Sequence, residues 1–163
     1  MKLFLSAAFI VLATAAQAQQ CAPGPIPDPA CTSGVLNAEV TQGNIAQTIC
    51  RSGWTAAIRP PVSYTNALKR QQMIAYGYGG RNPRDFEEDH LVPLELGGNP
   101  TDPHNLWPQP WGGQWGADVK DRLETALKRR VCSGQTMLAE ARALFLAPAD
   151  WRQSYVRIFG RQP

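Results

Sequence analysis

The chain has 163 residues, 44% of them hydrophobic, with 16 basic and 13 acidic side chains and a net charge of +3. Loss of Lys2 with a leader would leave +2, so composition argues against a partner selected by bulk charge alone. A mature length of about 145 residues fits one domain with its own core.

In chain order, Met1-Lys2 precedes an uncharged run from Leu3 to Ala15 and then Ala16-Gln17-Ala18, the small-x-small form that signal peptidase cleaves. The run is shorter than the ~20 residues a membrane-spanning helix needs. Residues 1–18 therefore read as a signal peptide, with cleavage near Ala18 and a secreted or periplasmic product without a membrane anchor. Cys21 follows Gln19-Gln20, where lipid attachment would want a small residue. Four exported cysteines, none spaced C-x-x-C, predict disulfides rather than a metal site. Three pairings are possible; short-range closure favours Cys21 with Cys31, leaving Cys50 with Cys132.

Residues 19–62 form an N-terminal arm tied by these bridges. CAPGPIPDPACTSG, Cys21 to Gly34, is too rich in proline and glycine for regular structure, and Val40 to Ile49 fits either helix or strand. RPPVSYT then breaks the chain. Residues 63–163 form the main domain, opening with a helix capped by Ser63 and running to Gly77. Phe86 to Leu96 is predicted as a strand, irregular at Pro93, followed by the Gly97-Gly98-Asn99-Pro100 turn and a returning strand from Asn105-Leu106-Trp107. Ala117 to Val131 is predicted as a helix, with Val119, Leu123, Leu127 and Val131 on one face. Two further helices, Thr136 to Leu146 and the run from Trp151 to Phe159 stopped by Gly160, should pack near Cys132.

The segment Asp89-His90-Leu91-Val92-Pro93, the double glycine, Asn105-Leu106-Trp107-Pro108 and a helix carrying Lys120-Asp121 resemble the HNH endonucleases of the ββα-metal class, over roughly Phe86 to Cys132. The resemblance implies an α+β fold, a hairpin-helix unit surrounded by helices. It implies a nuclease acting on DNA or RNA, with His90 as general base, Asn105 holding base and hairpin in register, and Asp89 binding a divalent metal ion such as Mg²⁺. Glu87, on the same strand face as Asp89, is placed to support that ligand.

These residue types suit the reaction. Imidazole titrates near neutrality and can deprotonate a nucleophile, while a carboxylate-held divalent ion offsets the charge of the transition state and reverses the field of Glu87, Glu88 and Asp89. Neighbours on a regular strand point to opposite faces, so Asp89 and His90 share one site only at a bulge or strand end. The family's helix brings a second metal ligand, and the corresponding neighbourhood here is Gln114, Gly116 and Asp118. Asp118 is the carboxylate able to substitute. Without such a ligand, the same scaffold would serve as a non-catalytic secreted binding module.

Each residue also has a simpler role. His90 could be a hydrogen-bonded strand histidine, Asp89 an arginine partner, Asn105 a loop clamp, Glu87 a solvated acid and His104 a surface residue. Lys120, Arg122, Lys128, Arg129 and Arg130 place charge along one helix, toward nucleic acid or toward solvent. Trp107, Trp111 and Trp115 fit core anchoring better than base stacking.

Overall fold

The computed structural model describes residues 20–163; the predicted signal peptide and Gln19 lie outside them. Among the described residues five α-helices surround one antiparallel hairpin, in the order α1 (Trp54–Ile58), α2 (Val62–Ala75), β1 (Phe86–His90), β2 (Leu106–Pro110), α3 (Ala117–Cys132), α4 (Leu138–Ala143) and α5 (Trp151–Phe159). The fold is α+β, with the predicted strand, strand, helix order at its centre. No helix among the described residues is long and apolar enough to cross a membrane.

The core follows the apolar stripe of α3. Val119, Leu123, Leu127 and Val131 are buried against Leu138, Ala141 and Phe145 from the α4 region and against Trp151 and Tyr155 of α5. Val40 and Ile49 enter the same core, so the segment before α2 shares it with the rest of the chain. That segment is neither long helix nor strand: a 3-10 turn at Gln42–Asn44 begins a series of turns. A second cluster joins Cys21, Tyr76 and Trp107, with the Tyr76 and Thr32 hydroxyls 2.7 Å apart.

Several boundaries differ from expectation. Helix α2 starts at Val62 because Pro61 is extended (φ −58°, ψ 143°), so Ser63 lies inside the first turn rather than capping it. Strand β1 stops at His90, not Leu96. Asn105 takes over both backbone groups of Val92, and Leu94–Leu96 winds into a 3-10 turn. Helix α4 covers only Leu138–Ala143, and a five-residue helix, α1, precedes the Pro60-Pro61 break without a signal of its own in the sequence. Helix α5 matches its signals, with Asp150 accepting from the Arg152 amide and Gly160 left-handed at φ 70°.

Both expected disulfides are present, Cys21–Cys31 and Cys50–Cys132, the pattern of an oxidising compartment. The second spans 82 residues and ties the turns before α1 to the end of α3. Replacing Cys50 and Cys132 by alanine should lower unfolding stability by about 2–5 kcal/mol. Urea denaturation measures this directly, and an unchanged midpoint would mean that the bridge constrains nothing.

Candidate functional site

Strand β1 pairs residue for residue with β2, from Phe86 opposite Pro110 to His90 opposite Leu106, without a bulge. Alternation therefore separates the Asp-His pair. Asp89 reaches α3, while His90, the last residue of the strand, lines a cleft beneath α2.

The His90 ring is held from one side. It is 4% exposed, and its Nε2 lies 3.0 Å from the Pro100 carbonyl oxygen, which can only accept, so Nε2 carries the proton. Burial holds the imidazole pKa below its ordinary 6.5, against the opposing pull of that carbonyl and of Asp89. At neutral pH the ring is uncharged and Nδ1 keeps its lone pair.

Asn105 builds the support for this ring. Fully buried, it accepts from the Val92 amide at 2.9 Å and donates to the carbonyls of Val92 at 3.1 Å and Asn99 at 2.9 Å. It thereby fixes the loop that carries Pro100. The double glycine serves the same closure. Gly97 is left-handed at φ 75°, and a Cβ on Gly98 would lie 1.8 Å from the Val92 oxygen and 2.7 Å from Asn105 Nδ2. Asn105 is thus a clamp acting on His90 through the loop.

The cleft has a volume of about 460 Å³. Arg59, Lys69 and Arg84 bring positive charge to it, Trp111 stands 44% exposed at its edge, and Lys69 Nζ is fixed 2.8 Å from the Phe86 carbonyl. Glu87 and Glu88 also line it, Glu88 two residues before His90. Glu88 is 9% exposed, neither of its carboxyl oxygens has a hydrogen-bond partner among the described residues, and burial pushes its pKa to about 8 despite Lys69.

This acid gives the molecule a pH signature. Folded Glu88 keeps a proton that the unfolded chain releases near 4.5, so its contribution to stability declines as pH rises from about 4.5 to about 8. Glu88→Gln should be more stable than wild type above pH 8 and should have a flatter stability profile across that window. Thermal unfolding at several pH values tests this; parallel profiles would contradict it.

On the other side, Lys120 is fully buried among acceptors and carboxylates. Its ammonium lies 2.7 Å from Asp89 Oδ2, 2.5 Å from Glu124 Oε1 and 2.7 Å from the His90 carbonyl oxygen. These contacts keep its pKa above the ordinary lysine value, against desolvation. Glu87 and Asp121 lie nearby. Burial raises both pKa values, Glu87 to about 8, and the Asp89 charge adds to each.

A divalent ion does not fit Asp89 as it stands. The carboxylate already has a cation on Oδ2, and among the described residues no three His, Cys, Asp or Glu side chains converge on one point. Asp118 does not complete such a site, since it is 56% exposed and pairs with Arg122 at 2.8 Å. Glu87 remains beside Asp89 as the strand pattern required, within a carboxylate cluster rather than in solvent.

The basic stripe expected on α3 divides in the same way. Lys120 points into the core, Arg122 is paired to Asp118 and Lys128 to Glu95, so the cleft charge comes instead from Arg59, Lys69 and Arg84. The tryptophans also separate: Trp107 is buried, Trp115 packs edge-on to Trp151 and Tyr155, and Trp111 alone of the three lines the cleft. His104 lies on the surface against Asp102.

Sequence reasoning missed Glu88 and the buried role of Lys120. The second had a visible signal, since Lys120 falls three and seven residues before Leu123 and Leu127 and four before Glu124. Comparison of the chain with family models, curated proteins and solved structures gave no match.

Proposed function

We propose that the protein is a secreted nuclease that cleaves phosphodiester bonds with His90 as general base. The observation that carries this reading is the uncharged His90 ring, pinned at Nε2 and opening into a cleft lined by Arg59, Lys69 and Arg84. A phosphate drawn to those cations would bring its nucleophile to a basic nitrogen, and the same cations would stabilise the charge that grows on the phosphoryl oxygens. Trp111 offers an exposed ring for stacking a base. Asn105 acts by holding the loop behind the ring.

The alternative is a non-catalytic nucleic-acid-binding module, favoured by the Lys120–Asp89 pair in place of a metal site. Purified mature protein incubated with supercoiled plasmid, single-stranded DNA and RNA distinguishes the two. The nuclease reading expects cut backbone in at least one substrate. Retention of an oligonucleotide with every backbone intact would favour the binding module.

A further inference from the structure

Basic side chains supply positive charge on both faces of β1, Lys120 on one and Arg59, Lys69 and Arg84 on the other. The Lys120 ammonium donates to Glu124 and to the His90 carbonyl and lies at ion-pair distance from Asp89 Oδ2, and the side chain has no exposed surface. A divalent ion joining Asp89 would meet that ammonium at close range in a dry environment, where like charges repel strongly. On the other face, Arg59, Lys69 and Arg84 border the cleft beside His90, outnumbering the two carboxyl groups, Glu87 and Glu88, in the same lining.

We propose that this cleft cleaves RNA without a divalent ion, with Lys120 permanently holding the position beside Asp89 that a metal would take. The proposal rests on the nuclease reading above and names its substrate class.

The substrate follows from the nucleophile. With Lys120 in the metal's place, a single imidazole base beside cationic side chains suits a substrate that carries its own hydroxyl rather than one that needs a metal-oriented water. RNA places a 2′-hydroxyl beside the scissile phosphorus, and a well-oriented internal nucleophile reaches effective molarities of about 10⁵–10⁸ M. DNA lacks that group. His90 Nδ1 takes the 2′-hydroxyl proton, the O2′–P bond forms and the P–O5′ bond breaks. The departing O5′ takes a proton from solvent, leaving a 2′,3′-cyclic phosphate and a 5′-hydroxyl end. The cleft cations face the non-bridging oxygens. Lys120 does not touch the substrate; it is a positioning residue that fixes the His90 backbone and neutralises Asp89.

The test uses the disulfide-bonded protein and one oligonucleotide sequence made as RNA, as DNA and as fully 2′-O-methylated RNA, each with EDTA and with Mg²⁺. The expected result is equal RNA cleavage in both conditions, cyclic-phosphate ends, and intact DNA and 2′-O-methyl RNA. RNA cleavage lost in EDTA, or DNA cut at a comparable rate, overturns this proposal while leaving a nuclease. No cutting of any substrate removes the nuclease reading and this proposal with it.

Mn²⁺ titration followed by electron paramagnetic resonance reads the Asp89 position without relying on activity. Wild type should lack any Mn²⁺ site that Asp89→Asn abolishes, and finding one overturns the assignment of Lys120. Folded Lys120→Met should gain a Mn²⁺ site that is lost again in Lys120→Met/Asp89→Asn; folded Lys120→Met without one also overturns it. Should Lys120→Met fail to fold, the comparison of wild type with Asp89→Asn decides.

Discussion

His90→Ala is expected to keep the fold and lose about 10²–10⁴ of the cleavage rate, the usual cost of removing a general base. The loss reflects the base itself, because the backbone around it is held independently. The His90 carbonyl receives Lys120, the Leu91 amide donates to the Asn105 carbonyl at 2.8 Å, and both Val92 backbone groups bind the Asn105 side chain. Circular dichroism should therefore match wild type. The rate of wild type should fall only as pH drops below 6.5, because burial moves the imidazole titration downward and the protonated ring cannot accept a proton. A His90→Ala variant as fast as wild type would move the chemistry elsewhere.

The second large effect concerns stability. Lys120→Met strands two buried carboxylates, Asp89 and Glu124, and leaves the His90 carbonyl without its ammonium. Breaking a buried ion cluster from one side costs about 3–5 kcal/mol, because the remaining charges stay desolvated. For a domain of this size the melting temperature should drop on the order of 10 °C. Neutralising all three members as Lys120→Met/Asp89→Asn/Glu124→Gln should recover much of the loss, since the penalty belongs to the uncompensated charge rather than to the missing pair. Calorimetric melting of both variants checks the argument. Equal melting of wild type and Lys120→Met would show that the cluster contributes no net stability.

The elements legible in the sequence were those governed by local periodicity and punctuation. The apolar spacing of Val119, Leu123, Leu127 and Val131 located α3, the glycines and prolines bracketed the hairpin, and the four cysteines paired as their spacing suggested. The extent of β1 was not legible. Leu91, Val92, Leu94 and Leu96 have strand-like composition, but Asn105 captures the backbone of Val92 across 13 residues, and no window on β1 contains that partner.

The site was legible as a set of residues and not as an arrangement. Adjacent Asp89 and His90 look like one constellation in the sequence, yet strand alternation sends one to α3 and the other to the cleft. Arg59, Lys69 and Arg84 come from separate segments, brought together by the packing of α2 over β1. Glu88 resembled its acidic neighbours because what sets it apart, a buried carboxyl group with neither oxygen hydrogen-bonded, is a tertiary property.

The most direct measurement is the ¹⁵N spectrum of the His90 imidazole at pH 7, with and without a short single-stranded oligonucleotide that the protein does not cut. The expected result is an uncharged ring protonated at Nε2, whose Nδ1 resonance shifts when the oligonucleotide binds. A charged ring, or an Nδ1 resonance unmoved while signals elsewhere respond, would contradict it.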